Sequence, residues 1–177
     1  KAAGFTIDEA EDYRRRLDEN SYLGWALEIY QDYTRELNRN GMLDFDDLIV
    51  HALRLLKEDA GVLERLQDRW TFYFEDEAQD SNPLQEEILK LLSAKSGNLI
   101  RVGDSNQAIL GTFTAAEPEI FRRFCRREDV QKESIRYSSR STRQIIDLAN
   151  HLVDWVRDYH PQEECRTALE ANIFFSQ

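Results

Sequence analysis

The chain has 177 residues, 41% of them hydrophobic and 11% aromatic, which suffices for one domain or for one domain and part of a second. Its formal net charge of −11 is unusual for a nucleic-acid-binding protein, although segregated charge would still allow one. With no secretory signal and no apolar run of membrane-spanning length, the composition predicts a cytoplasmic protein, and the spacing of Cys125 and Cys165 predicts free thiols rather than metal ligands.

The first 70 residues carry the periodicity of helices. Thr6 and Glu9 form the pattern of a capping box, which predicts a helix through about Asn20. A second helix ends at Gly41 as its C-cap, and its apolar positions predict a buried stripe: Tyr22, Trp25, Ile29, Tyr33 and Leu37.

Two more helices are predicted before residue 70. Asp44, with Asp47 three residues later, predicts the cap of the first of them. A shorter helix is predicted over about 62–67.

A short aromatic run then leads directly into a group of acidic residues. It predicts a buried strand over 71–76, with Asp76 and Glu77 at its carboxyl end, where ligands bind in open α/β sheets. Such a pair suits a hydrated Mg²⁺ on one carboxylate and a base for water on the other. A solvated acidic loop is an equally common origin of the pair, so these two residues alone leave both interpretations open.

The next segment predicts one βαβ unit. Asn82 or Pro83 opens a helix through about Leu92, and a second strand is predicted over 98–102. Strands joined in this way are parallel, with a right-handed crossover, so their carboxyl ends share an edge. Asp104 and Gln107 are therefore expected near Asp76 and Glu77.

The remaining chain is predicted to be mostly helical. A helix over 118–127 carries a basic cluster, which we interpret as ordinary solvated surface, and 134–137 is a candidate strand. Ser141 is predicted to cap a long helix through about Asp158. Its inward residues are predicted to be Ile145, Ile146, Leu148, Ala149, Leu152, Val153 and Val156.

Four segments, in order, give this sequence a family resemblance. They are Asp44-Phe45-Asp46-Asp47-Leu48; Asp76-Glu77-Ala78-Gln79-Asp80 with Gln85; Val102-Gly103-Asp104-Ser105-Asn106-Gln107-Ala108-Ile109; and Arg140-Ser141-Thr142 with Ile145 and Ala149-Asn150. The chain resembles superfamily 1 DNA helicases of the UvrD/Rep type, in which the last three segments are similar to motifs II, III and IV. The first is similar to the segment by which the chain re-enters the first RecA-like domain.

The resemblance implies a fold and a division into domains. The fold is α/β and helix-rich: a partial RecA-like domain of the P-loop NTPase type with a small parallel sheet, preceded by a helical subdomain segment. Residues 1–42 would resemble the helical insertion of the first helicase domain. Residues 43–131 would be part of the first RecA-like domain, and 132–177 the start of the second.

The resemblance also implies roles for individual residues. Asp76 would hold the Mg²⁺ that is bound to the ATP phosphates, and Glu77 would orient and deprotonate the attacking water. Gln107 would sense the γ-phosphate, and Arg140 would reach it as an arginine finger. Without the resemblance, a loop amide and a salt bridge at a helix start are the simpler interpretations of Gln107 and Arg140.

Two segments depart from the family pattern. The motif III loop has Leu110 where the family usually carries Tyr, which leaves Phe113, with Thr112, as the candidate DNA contact. Stacking on a base is worth about 1–3 kcal/mol in single-strand binders, and burial of Phe113 within its own loop is the alternative. Ser138 and Ser139 stand where the family has Asn-Tyr, which removes an expected stacking partner for adenine.

The phosphate-binding loop is the larger departure. No Gly-x-x-x-x-Gly-Lys-Ser/Thr pattern occurs in the sequence, and the family's later motifs do not occur either. We therefore expect an excised fragment, or the product of a truncated gene, that is inactive alone.

Three classes of function follow. The leading hypothesis is a piece of an ATP-driven DNA helicase or translocase that acts on single-stranded DNA in repair or recombination. The parent would use ATP and Mg²⁺, and its partners would be the DNA and the remainder of the helicase chain, with no membrane. The alternatives are a non-catalytic interaction module derived from a helicase, and a metal-dependent nuclease that uses Asp76, Glu77, Asp80 and Asp104.

Overall fold

The computed structural model describes residues 22–108, 116–169 and 172–176, and the helix predicted to end near Asn20 lies outside them. The described chain is helix-rich with small parallel sheets, compatible with the predicted α/β class. Its helices are α1 (Tyr22–Arg39), α2 (Phe45–Glu58), α3 (Ala60–Arg69), α4 (Pro83–Ser93), α5 (Pro118–Arg126) and α6 (Arg143–Tyr159). Its strands are β1 (Tyr73–Glu75), β2 (Leu99–Arg101), β3 (Tyr137–Ser138) and β4 (Phe174–Phe175), and 3₁₀ turns cover Ala78–Asp80, Ser105–Gln107 and Glu163–Thr167.

The chain divides into two compact units. Among the described residues, 22–75 and 81–101 form the first unit, and 76–80 and 102–176 form the second. The sequence passes from the first unit to the second directly after β1 and again directly after β2. The three domains predicted from the resemblance stay a prediction.

Reciprocal hydrogen bonds fix the starts of two helices in the first unit. The Asp44 carboxylate accepts from the Asp47 amide at 2.8 Å, and the Asp47 carboxylate accepts from the Asp44 amide at 3.2 Å. Asn82 and Gln85 form the same capping box at the start of α4, with both distances at 2.9 Å. Each box satisfies backbone donors that a helix start leaves unpaired. The two observed boxes confirm both predicted helix starts.

The first sheet confirms the predicted βαβ pairing. β1 and β2 are parallel neighbours, with Tyr73 opposite Leu99 and Glu75 opposite Arg101, and α4 lies between them in sequence. Both strands are shorter than predicted, three residues each. The strand pattern thus identified the position and direction of the pair, while the ladder itself covers only the central residues.

A buried arginine joins the ends of these strands to α4. The Arg101 side chain is fully buried and forms ion pairs with Glu75 and Glu86. The hydroxyl of Ser81 donates a further hydrogen bond to Glu75. Two carboxylates therefore share one buried guanidinium at the carboxyl end of the sheet.

In the second unit, α5 packs on the 3₁₀ turn at Ala78–Asp80. Ile120 and Phe121 are buried on α5, and Ala78 is completely buried in the turn. α5 also contacts the turn at Ser105–Gln107. One helix therefore supports both of the turns that follow the strands of the first sheet.

The C-terminal part of the second unit holds a second parallel pair. Tyr137 lies opposite Phe174 and Ser138 opposite Phe175. The Asn150 side chain on α6 forms two hydrogen bonds with the backbone of Ile173, at 2.7 and 2.9 Å. The strand predicted over 134–137 was wrong in its bounds, because it begins at Tyr137, where a partner strand is present.

The predicted start of α6 was also wrong by one residue. Thr142, not Ser141, is its N-cap, and no side-chain hydrogen bond caps it there. The pattern had identified the right helix, but the cap was assigned to the first of two adjacent hydroxyl residues.

The predicted apolar face of α1 is largely exposed, and that of α6 is partly exposed. On α1, Tyr22, Trp25, Ile29 and Tyr33 are exposed, and the buried residues are Gly24, Gln31 and Thr34. On α6, Ile146 and Val153 are buried, but the predicted inward residues Ile145, Leu148 and Leu152 are exposed. Periodicity identifies an apolar face, but burial also requires an element that packs on it, and the pattern does not contain that information.

Candidate functional site

Asp76 and Glu77, which directly follow β1, are both exposed. The Glu77 amide donates to Asp76 Oδ1 at 2.9 Å. Glu77 has a φ of 52°, in the left-handed region that residues other than glycine rarely adopt. Asp76 Oδ2 has no hydrogen bond or ion pair with any other residue that the structure describes. One carboxylate oxygen therefore orients the turn, while the other remains available to a cation.

The buried side chain beside this pair is Gln79, which is 2% exposed. Its Nε2 donates to Glu77 Oε2 at 2.7 Å, and its Oε1 accepts from the Asp104 amide at 2.9 Å. Because a backbone N–H can only donate, the contact with Asp104 fixes which end of the carboxamide faces Glu77.

Gly103 makes this arrangement sterically possible. A Cβ at this position would lie 2.7 Å from Gln79 Oε1, 3.1 Å from Phe121 Cε1 and 3.2 Å from the Ala78 nitrogen. The first distance is shorter than real Cβ contacts, so a side chain would displace the Gln79 carboxamide. Glycine is thus required here for close approach and not for an unusual φ.

Gln107 is joined to the same cluster through Asp104. Asp104 Oδ1 accepts from the Asn106 amide at 2.9 Å, which caps the 3₁₀ turn. Its Oδ2 accepts from Gln107 Nε2 at 2.8 Å, and the Gln107 side chain is exposed. The carboxamide of Gln107 is therefore held at the surface, where a ligand can reach it.

Together these contacts bring three of the predicted site residues into one cluster. Hydrogen bonds run from Asp76 to Glu77, through Gln79 to Asp104, and on to Gln107. Arg140 takes no part in it: its side chain is exposed and forms no hydrogen bond or ion pair with a described residue. The predicted DNA contacts, Phe113 and Thr112, lie outside the described residues.

Sequence reasoning missed the two residues at the centre of this cluster, Gln79 and Gly103. Both stand inside segments that the resemblance had singled out, so the signal was present. What a linear motif does not show is that one buried side chain contacts both segments.

The basic cluster on and after α5 is largely paired with acids. Arg123 pairs with Glu117 at 3.3 Å, and Arg126 pairs with Glu119 at 2.7 Å. Arg127 binds Asp129 with two nitrogens, and that hydrogen bonding lowers the pKa of the Asp129 carboxyl below its ordinary value. These arginines therefore match the prediction of ordinary solvated surface.

Two further properties concern metals and membranes. Among residues 22–108, 116–169 and 172–176, no group of three or more His, Cys, Asp or Glu side chains could hold a metal ion. A Mg²⁺ ion that takes one protein carboxylate and otherwise phosphate and water oxygens does not need such a group. No helix in the described part of the chain is long and apolar enough to span a membrane.

Comparison with known proteins gives a consistent match. The model of the family described as UvrD/REP helicase N-terminal domain matches residues 4–129. DNA helicase II of Haemophilus influenzae is 32% identical over 155 residues, which cover 86% of this chain and 20% of that protein. ATP-dependent DNA helicase UvrD2 of Mycobacterium tuberculosis is 39% identical over 129 residues, which cover 71% of this chain and 18% of the relative.

A third relative shows the same proportions. ATP-dependent DNA helicase PcrA of Staphylococcus aureus is 34% identical over 145 residues, which cover 82% of this chain and 19% of that protein. The chain thus spans about a fifth of the length of the curated relatives that it matches.

Proposed function

Because the chain belongs to the UvrD/Rep helicase family, we propose that it is the part of an ATP-dependent DNA helicase that carries the catalytic base and the γ-phosphate sensor. The helicase would act on single-stranded DNA in repair or recombination, from the cytoplasm. Its partners would be that DNA and the remainder of the helicase chain. The β1–α4–β2 unit would belong to the first RecA-like domain.

The observation that carries this proposal is the hydrogen-bonded cluster from Asp76 to Gln107. A carboxylate for a cation, a second carboxylate for water and an exposed amide for a phosphate lie in one connected group. Phosphoryl transfer requires mainly positioning and charge stabilisation, and this group supplies residues for both.

In the proposed reaction, water attacks the γ-phosphorus of ATP. Glu77 takes the proton of the water as the new O–P bond forms, and the bond from the γ-phosphorus to the bridging oxygen breaks, which leaves ADP and phosphate. Gln107 and Arg140 would donate hydrogen bonds to γ-phosphate oxygens. The free oxygen of Asp76 would hold Mg²⁺, which neutralises phosphate charge when bound.

The sequence itself contains no P-loop, so the 177-residue chain alone is proposed to be inactive. Residues 1–42 would belong to the helical insertion of the first helicase domain, 43–131 to the first RecA-like domain and 132–177 to the second. Phe113 and Thr112 remain the proposed DNA contacts of the motif III loop.

The function is tested in a longer protein that joins this sequence to a P-loop. Single-stranded DNA should stimulate its ATP turnover, and it should unwind a duplex with a single-stranded tail. A purified protein of this kind whose ATP turnover does not respond to DNA would contradict the proposal.

A second candidate for the isolated chain is a non-catalytic interaction module. The net charge of −11 and the pairing of Arg123 and Arg126 with acids favour it over direct DNA binding by this segment. The comparisons give no support to the nuclease alternative. A DNA cleavage assay with Mg²⁺, in which no product forms, would separate the nuclease from both.

A further inference from the structure

We propose that Gln79 is a positioning residue for ATP hydrolysis: its buried carboxamide orients the Glu77 carboxylate and couples it to the turn that carries Gln107. This inference rests on the proposed function. It adds that the base and the phosphate-contacting amide are held as one mechanical unit, so that a change at either one reaches the other through Gln79.

The geometry of Gln79 supports this role. Each end of its carboxamide is used by a different segment: Nε2 by Glu77 at 2.7 Å, and Oε1 by the Asp104 amide at 2.9 Å. The bond to Glu77 is charge-assisted, and such bonds are stronger than neutral ones. Rotation of the carboxamide would place its donor against a backbone donor, so both bonds hold or fail together.

Burial makes the coupling specific. Gln79 is 2% exposed, whereas Glu77 and Gln107 are both exposed. Its side chain cannot turn to water for alternative partners, and Oε1 occupies space that a Cβ at residue 103 would fill. The exposed carboxylate therefore takes its orientation from a buried neighbour.

The second half of the connection runs through Asp104. Its amide binds Gln79, and its carboxylate holds both the Asn106 amide and Gln107 Nε2. Displacement of Asp104 thus moves Gln107 directly. No contact between Glu77 and Gln107 is needed for the two to be coupled.

The first experiment uses the 177-residue chain, labelled with ¹⁵N for NMR. Glu77→Gln replaces the charge-assisted bond with a neutral one and should speed hydrogen exchange of the Asp104 amide by about 3–10-fold. The same substitution made in a Gln79→Met background should leave Asp104 exchange unchanged. Methionine keeps the unbranched shape and removes both polar ends.

Gln67→Met is the matched control. Gln67 also has a hydrogen bond with the backbone, because its Nε2 donates to the Leu91 carbonyl at 2.7 Å, but it lies in the first unit. In a Gln67→Met background, Glu77→Gln should still speed hydrogen exchange of the Asp104 amide. If Gln79→Met does not fold, Glu77→Gln in the otherwise unchanged chain still tests the coupling. Unchanged hydrogen exchange of the Asp104 amide in that variant would overturn the coupling.

A steric variant tests the same unit without altering its hydrogen-bonding groups. Gly103→Ala should push Oε1 away and abolish the response of Asp104 to Glu77→Gln. Gly61→Ala is its control, since a Cβ there would meet only two side-chain atoms, at 3.3 and 3.5 Å. A Gly103→Ala chain that keeps the full response would contradict the proposed geometry.

The second experiment measures turnover in a longer protein that joins this sequence to a P-loop. Gln79→Met should lower kcat by about 10–100-fold, as is typical for residues that orient a catalytic group, and change the KM for ATP less than about twofold. Normal turnover by Gln79→Met would overturn the positioning role and leave the proposed function intact. A parent without DNA-stimulated ATPase activity would instead remove the proposed function, whereas the NMR response of Asp104 alone decides the coupling.

Discussion

The Ala78 amide donates a hydrogen bond to the Val102 carbonyl at 2.9 Å. This one backbone contact brings the segment that bears Asp76 and Glu77 alongside the segment that bears Asp104 and Gln107. Since the two backbones already lie side by side, a single carboxamide is long enough to join the Glu77 carboxylate to the backbone amide of Asp104. The cluster therefore depends first on backbone geometry and only then on the identity of the polar groups.

Glu77→Gln, in a longer protein that joins this sequence to a P-loop, should abolish ATP hydrolysis with nucleotide binding nearly intact. The amide keeps the shape of the side chain but cannot take a proton, and a base of this kind contributes about 10²–10⁴-fold in rate. Turnover and equilibrium ATP binding are measured on the same preparation. Near-normal turnover would show that Glu77 is not the base.

Asp76→Asn should produce a different defect in the same protein. It weakens the proposed cation site, so ATP affinity in the presence of Mg²⁺ should fall together with turnover. ATP binding is titrated with and without Mg²⁺ for Asp76→Asn and Glu77→Gln. An Asp76→Asn protein that binds Mg²⁺–ATP as tightly as the unaltered protein would remove Asp76 from the cation site.

The isolated chain should bind single-stranded DNA only weakly at physiological salt. Phosphate contacts dominate such binding, and a net charge of −11, with Arg123 and Arg126 already paired to acids, opposes them. Fluorescence anisotropy with a labelled oligonucleotide measures the affinity. A dissociation constant below about 1 μM would contradict the expectation, because nonspecific binding is typically about 10⁻⁴–10⁻⁶ M.

Arg101→Met should destabilise the first unit strongly. It would leave Glu75 and Glu86 partly buried without their shared cation, and breaking a buried pair costs about 3–5 kcal/mol. Arg54→Met is the control, because Arg54 and Glu58 form an exposed pair at 2.8 Å that is worth about 0.3–0.5 kcal/mol. Urea unfolding measures the free energy of unfolding of both variants. Similar losses of stability for Arg101→Met and Arg54→Met would contradict the prediction.

Tyr73→Phe should make the free energy of unfolding less dependent on pH in the alkaline range. Burial raises the pKa of the Tyr73 phenol above its ordinary 10.0, so the unfolded chain releases this proton at lower pH than the folded chain. The contribution of Tyr73 is complete below pH 10 and is lost as pH rises through the folded pKa. Between pH 9 and 11, the free energy of unfolding from denaturation curves should fall less steeply with pH for Tyr73→Phe than for the unaltered chain. Parallel pH profiles of the two proteins would refute this.

The sequence predicted those elements whose determinants are local. The capping boxes at Asp44 and Asn82 and the parallel pairing of β1 with β2 are confirmed, because caps and βαβ connections depend on residues close together in the chain. The exposed face of α1 was predicted wrongly, because burial depends on a partner element. The predicted parallel pairing also placed Asp104 and Gln107 near Asp76 and Glu77, but it did not identify the side chain that connects them.

Gln79 illustrates why that connection required a structure. In the sequence it lies between Ala78 and Asp80, and glutamine at such a position has many ordinary explanations. Its importance comes from a contact with Asp104, 25 positions away in the chain, and from the absence of a Cβ at Gly103. Contacts of this kind depend on three-dimensional packing and leave no periodic signal.

The left-handed backbone at Glu77 has a consequence for how this position would evolve. A φ of 52° costs a residue with a Cβ about 1–2 kcal/mol, and glycine or asparagine would adopt it more easily. Selection for thermal stability alone should therefore replace the glutamate, whereas selection for ATP turnover should retain it. Parallel selection of a randomised position 77 under the two pressures would recover different residues, because stability and activity favour different side chains there.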